Sequence, residues 1–163
     1  MKMKTSALPH ILRMFITATG AALSLAGCDE HTLYHTYAPL SSEGWERKES
    51  LCFPIDSLNR DAEDARFTVE LRTTDAYPYQ SVWLAVERKF SRPDTLLSDT
   101  VECVLADSIF RPTGKGIRLY QSQAALPPLS LRKGQRGQIR ICHLMIRETL
   151  PGIHDVGVRI QTD

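Results

Sequence analysis

Apolar side chains in this chain recur at every second residue rather than every third or fourth. That period restricts the possible fold more than any other feature. Phe67, Val69 and Leu71 alternate with Thr68, Glu70 and Arg72 in RFTVELR. Val82, Leu84 and Val86 do so in SVWLAVE, with Trp83 on the opposite face. Val101, Cys103 and Leu105 follow in TVECVLA, and Ile117 and Leu119 in GIRLY. Ile139, Ile141 and His143 repeat the pattern in GQIRICH, and Val156, Val158 and Ile160 in DVGVRI. Such stretches fit antiparallel strands with one face buried and one face solvated.

The stretches are separated by chain breakers at Ala76-Tyr77-Pro78-Tyr79, Ser91-Arg92-Pro93-Asp94, Pro112-Thr113-Gly114 and Lys133-Gly134. With LCFPI at residues 51–55 as the first, seven strands fall within about 110 residues. That spacing predicts an all-β fold, a single antiparallel β-sandwich of immunoglobulin-like or jelly-roll type. One helical turn is expected at Arg147-Glu148-Thr149-Leu150, stopped by Pro151-Gly152. The 163 residues suffice for one such domain, which is assigned to residues 45–163.

The first 27 residues carry a different signal. Lys2, Lys4 and Arg13 form a basic leader, and Met14 to Ala26 supply 13 residues of apolar character. A transmembrane helix needs about 20, so this segment reads as the core of a lipoprotein signal peptide, residues 1–27. It ends in Leu25-Ala26-Gly27-Cys28, small residues followed by a thiol, which makes Cys28 the expected lipid attachment site. One acyl chain holds a protein marginally and two or more hold it firmly, so the mature chain would be anchored to a membrane without spanning it. Residues 28–44 lack clear periodicity and read as a lipid-anchored tether; a flexible stretch from 29 to 44 would span about 20–25 Å. Asp29 and Glu30 behind the cysteine read as a sorting signal. Two conventions conflict over them, one giving export to the cell surface and the other retention in the inner membrane. The outer membrane is the favoured location, with its periplasmic or surface-facing side left open.

Charge excludes a further class. The chain has a formal charge of +1, but the leader takes three basic residues with it, leaving 17 basic and 19 acidic side chains. Nucleic-acid binding needs a basic stripe, and Arg132, Lys133 and Arg136 read as a solvated turn instead.

No catalytic, cofactor or metal constellation emerges. Besides Cys28 there are Cys52, Cys103 and Cys142, without CxxC spacing. They allow three single-disulfide pairings, and as strand residues they read as small buried apolar side chains. His31 and His35 have i, i+4 spacing but no third ligand nearby in sequence. His143 shares the apolar parity of its strand, as a core histidine with its hydrogen bonds satisfied would. His154 and Asp155 form the one acid–base pair, expected in a turn or cap, and a hydrolase built on them would need a nucleophile in reach. Gly114-Lys115-Gly116 fails the phosphate-loop pattern and reads as a turn whose glycines take positive φ. The chain is therefore expected to be a non-enzyme. A second class, a surface glycan-binding module, would use Tyr77, Tyr79 and Trp83 as possible partner or glycan contacts, with covering of a sheet edge as their simpler role.

Several stretches, in order, resemble the GldH family of gliding-motility lipoproteins from Bacteroidetes. They are Cys28, Tyr34-His35-Thr36-Tyr37, Gly44-Trp45 before LCFPI, VELRTTDAYPYQSVWLAV, DTVECVLAD, GKGIRLYQ and HLMIRETLPGIHDVGVRI. Between the Asp107 strand and the GxG turn the family tends to show a glycine and a tryptophan. Here Asp107-Ser108-Ile109-Phe110-Arg111-Pro112 stands, with Phe110 in the tryptophan's place. The resemblance implies a membrane-anchored, non-catalytic accessory of the gliding apparatus and of the type IX secretion linked to it, with other envelope proteins as partners. It transfers Cys28 as the lipidation site and no catalytic residue.

Overall fold

A computed structural model describes residues 31–162, which form ten β-strands and no helix among the described residues. No helix there is long and apolar enough to cross a membrane. The strands are β1 (Thr32–Pro39), β2 (Trp45–Glu46), β3 (Leu51–Ile55), β4 (Ala62–Thr73) and β5 (Ser81–Phe90). They continue as β6 (Thr95–Val104), β7 (Tyr120–Leu131), β8 (Gly137–His143), β9 (Thr149–Leu150) and β10 (Ile153–Gln161).

The pairing is nested. β1 pairs with β10, β2 with β9, β3 with β8, β4 with β7 and β5 with β6, all antiparallel. Two further contacts, β10 to β4 and β8 to β5, gather these pairs into sheets of order β1-β10-β4-β7 and β3-β8-β5-β6, with β2-β9 a separate ribbon. Immunoglobulin-like sandwiches place several successive strands side by side, whereas here β5 and β6 are the one sequence-neighbouring pair. A long hairpin rolled on itself in this way is the jelly roll, the second of the two expected types.

Most strands fall where the alternation puts them, LCFPI and GQIRICH to the residue. Three elements differ. The tether expected at 28–44 contains β1, whose edge pairing with β10 runs from Thr32↔Gln161 to Pro39↔Asp155. The sandwich therefore begins near His31 rather than Trp45. The GIRLY strand does not form: Ile117 is 90% exposed, and the strand begins at Tyr120 and continues through Pro127 and Pro128 to Leu131. Proline cannot donate to a ladder and is tolerated on edge strands and at bulges. β7 is an edge strand, and its register against β4 shifts between Phe67↔Leu126 and Ala65↔Leu129, around the two prolines. The helical turn at 147–150 is absent, because Thr149 and Leu150 pair with Glu46 and Trp45 while Arg47 N–H donates to Glu148 O at 2.7 Å.

The inner faces of the two sheets make the core. Phe67 and Phe90, from opposite sheets, meet edge to face at 6.0 Å, and Trp45 is fully buried with its Nε1 donating to Glu49 O at 3.2 Å. One cation lies among these apolar groups. Arg88 is 1% exposed; its Nε and Nη2 donate to Asp99 Oδ2 at 3.2 and 2.8 Å, and its Nη1 crosses the sandwich to Pro127 O at 2.7 Å. That carbonyl lies in the bulged part of β7, so the guanidinium satisfies an acceptor that the ladder does not reach. Its carbon sits 4.7 Å from the centroid of the Phe67 ring.

His143 lies on the inner face as its parity predicts, 2% exposed and edge-on to Trp45 at 5.3 Å. Its ring nitrogens are sealed from solvent, and the Trp45 backbone is the hydrogen-bonding group beside them. Burial holds its pKa below the ordinary 6.5; the Trp45 backbone and Glu148 oppose the shift and Arg47 adds to it. The folded chain thus refuses a proton that the unfolded chain accepts. Stability is full above about 6.5 and is lost as pH falls from there through the depressed folded value. The urea midpoint should therefore drop between pH 7 and 5, and a His143→Phe variant should lose part of that slope. An unchanged slope in the variant would place the pH dependence elsewhere.

Candidate functional site

Antiparallel pairing fixes two ends of the sandwich. Connectors 56–61, 91–94 and 132–136 lie at the end that holds the termini, where Thr162 N–H donates to His31 O at 2.9 Å. Connectors 40–50, 74–80, 105–119 and 144–152 lie at the other end. Exposed apolar residues are segregated between them. Of the large exposed ones among the described residues, Trp83, Val104, Ile109, Phe110, Ile117, Leu144 and Ile146 are at the far end, and Leu96 alone is at the other.

Two features shape this end. Tyr79 and Trp83 line one groove with Met145, Ile146 and Arg147, about 460 Å³ in volume. Trp83 projects from the outer face of β5 and is 44% exposed. Tyr77, the third expected aromatic, stands behind them: it packs edge-on to Tyr79 at 5.7 Å and donates its hydroxyl to Ser81 O at 3.0 Å. The second feature is the loop at Asp107. Asp107 Oδ1 accepts from the N–H groups of Ile109 and Arg111 at 3.0 and 2.9 Å, and these bonds hold its carboxyl below the usual carboxylate range. Phe110 inside the turn has φ of 58° and is 63% exposed. A bulky residue in the left-handed region is held there by its surroundings, and here it presents a ring to solvent.

A polar cluster occupies the outer face of the β1-β10-β4-β7 sheet. Tyr37, Gly157 and Glu70 stand in one row across β1, β10 and β4. A Cβ on Gly157 would come within 2.6 Å of the Tyr37 ring, so the missing side chain lets Tyr37 lean across β10 to donate its hydroxyl to Glu70 Oε2. His35 Nε2 is 3.1 Å from the same oxygen and Gln121 Nε2 donates to it at 3.3 Å, while Arg159 Nη2 is 2.6 Å from Oε1. Although it is on the face away from the core, the Glu70 side chain is fully buried. Burial, and then the bond to Glu70 with its charge, push the Tyr37 hydroxyl up to about 12. Arg72 lies over the Tyr37 ring at 4.0 Å and donates its Nε to Asp155 Oδ1 at 2.6 Å, a pairing that raises its pKa.

The remaining expected residues fall as follows. His154 Nδ1 is 2.8 Å from Asp155 Oδ2, and His154 lines a cleft with Ser41, Ser42 and Thr74. Its ring bonds to none of those hydroxyls, and Asp155 is already held by Arg72. His35 is on a strand, so the helical spacing that would bring it to His31 does not apply. Among the described residues, no three or more His, Cys, Asp or Glu side chains gather as metal ligands. Cys103 is buried, its thiol pushed up to about 12 by desolvation, and Cys142 is half-buried. Cys52 departs from the expectation: it is exposed, pointing outward from an edge strand. Cys28, Asp29, Glu30 and the signal segment lie outside the described residues.

The profile of the GldH lipoprotein family matches residues 32–160. No curated protein matches the chain. Among solved structures, Eiger TNF from S. frugiperda aligns over 82% of this chain and 94% of that one, at 9% identity and a TM-score of 0.31, a likeness too slight to argue from. The family match spans nearly all of the sandwich, from the first strand to the last, and the chain belongs to the GldH lipoprotein family, gliding-motility-related lipoproteins associated with the cell envelope through a membrane anchor.

Proposed function

We propose that this protein is a non-catalytic assembly component of the envelope, lipidated at Cys28, held at the outer membrane, and bound to a protein partner through its far loops. The observation that carries this reading is the segregation of exposed apolar side chains to the end remote from the termini. Exposed apolar side chains gathered at one end of a domain fit a protein interface. Phe110, fixed in place by Asp107, gives it a preorganised anchor, which lowers the ordering cost of binding. Asp29, Glu30 and His31 alone separate Cys28 from Thr32, a reach of about 14 Å when extended. A lipid on Cys28 then holds the terminal end close to the bilayer and leaves the far loops free.

The test is affinity isolation of the detergent-solubilised lipoprotein beside a Phe110→Ser, Ile146→Ser double variant. Wild type should recover envelope proteins of a motility or secretion complex, and the variant should recover them at least about tenfold less, the scale of losing hot-spot side chains. Equal recovery from both forms would remove the far loops as the interface.

A further inference from the structure

Toward the far end, the outer face of the β3-β8-β5-β6 sheet finishes in an apolar island of Trp83, Val104, Leu144 and Ile146, all exposed. Trp83 stands at its centre. Glu102 of β6 lies opposite it on one side, and on the other Leu144 donates its N–H to Trp83 O at 2.8 Å. Val104 is one row further on, opposite Ser81. In the other direction the rows turn small and then polar, with Ala85 between Cys142 and Thr100 and Glu87 between Arg140 and Ser98.

The two flanks of Trp83 differ in shape and in charge. On the β6 flank Val104 is 55% exposed, and Glu102 is exposed with its Oε1 accepting from Ser81 Oγ at 2.6 Å. On the β8 flank lies the groove between Trp83, Tyr79, Met145 and Ile146, with Arg147 on its wall. One flank thus carries a knob and an acid, the other a hole and a base. A two-fold axis running along the strands above Trp83 lays each flank on its opposite. Val104 of one copy then enters the groove of the other, and Glu102 meets Arg147, twice over. A surface of this kind is complementary to itself.

We propose that a second copy of this chain docks on the Trp83 face, giving a two-fold dimer whose copies stand parallel. The choice of axis rests on the lipid anchor proposed above. An axis along the strands keeps both terminal ends, and so both anchors, on one side and both sets of far loops on the other. Edge-to-edge pairing of two β6 strands across a two-fold would instead run the copies antiparallel and carry the anchors to opposite ends. Anchoring on one membrane also raises the effective concentration of one copy around the other. The dimer covers Trp83, Val104 and Ile146, and leaves Ile109, Phe110 and Ile117 for the other partner.

The full-length lipoprotein in detergent should scatter light as two copies once the detergent is subtracted, with a concentration dependence that gives its dissociation constant. Trp83→Ser should weaken the dimer at least about tenfold, as loss of a hot-spot tryptophan does. Glu102→Arg and Arg147→Glu should each weaken it about tenfold, because each sets like charges against one another. Both side chains are exposed, so the fold tolerates the exchanges. The two changes combined in one chain should restore the dimer to within about threefold of wild type, since the charges then meet with their signs exchanged. Phe110→Ser alone should leave the dimer unchanged, which separates this contact from the loop interface. A monomer at every concentration, a dimer indifferent to Trp83→Ser, or a double charge exchange no tighter than either single one would each overturn the proposal. So would loss of the dimer in Phe110→Ser, which would put the self-contact on the loops. A monomer whose Trp83→Ser form fails to recover the envelope proteins would give the face to them instead.

Discussion

Arg88→Ala is expected to destabilise the fold by about 3–5 kcal/mol, the usual cost of removing one partner from a buried charged pair. Against a total of about 5–15 kcal/mol for a domain, that is a large share, and urea unfolding should report it directly. The loss has three parts. Asp99, 22% exposed, would keep its charge without its cation, Pro127 O would lose its donor, and a cavity would open beside Phe67. A paired change separates them. Arg88→Met with Asp99→Leu restores volume and removes the stranded charge, and should recover most of the stability, leaving mainly the orphaned carbonyl. A single Arg88→Ala variant within about 1 kcal/mol of wild type would show that the clamp between the sheets contributes little.

Glu70→Ala should cost about 2–4 kcal/mol, less than Arg88 because Arg159 and His35 are 29% and 35% exposed and can turn to water once released. Glu70→Gln keeps the volume and one acceptor oxygen but loses the charge, and should fall between wild type and Glu70→Ala. If the glutamine form were as unstable as the alanine form, the charge rather than the hydrogen-bond pattern would hold the cluster. If both matched wild type, the burial of Glu70 would be incidental.

These two residues also mark where the sequence could be read and where it could not. Alternation assigned Phe67, Val69 and Leu71 to the core face and Glu70 to the other, and the parity is correct. It does not follow that Glu70 is solvated, because a second layer of side chains from β1, β7 and β10 covers it. Only the register that sets Gly157 between Tyr37 and Glu70 makes that cover possible, and register is a property of three strands far apart in sequence. Arg88 shares the parity of Val82, Leu84 and Val86, which in RKF reads as a strand running out into polar chain rather than as a cation entering the core.

The missed strands fail for related reasons. β1 is an edge with both faces partly covered, so TLYHTYAP shows no alternation. In β7 the inward residues Ser122 and Ala124 are small, and the bulge at Pro127 and Pro128 shifts the period between Leu126 and Leu129. Leu129 and Leu131 beyond the prolines were the available signal, readable as the same strand resumed after an extra residue. GIRLY kept the right period by coincidence in a turn. Of the candidate site, the Tyr79 and Trp83 pair was legible from composition, whereas Phe110 depends on how the long connector 105–119 folds back, where Gly116 takes a φ of 144° as expected and Gly114, packed against Gln121, does not take positive φ.

The nested pairing has a mechanical side. β1 enters the sandwich at the terminal end and runs its whole length beside β10 before the chain reaches the far loops. A load applied between Thr32 and those loops acts along the strands. It meets the rungs from Thr32↔Gln161 to Pro39↔Asp155 in parallel, as shear, instead of unzipping them singly from a free end. Pulled between Thr32 and its far loops, the sandwich resists tension along the direction of its strands best.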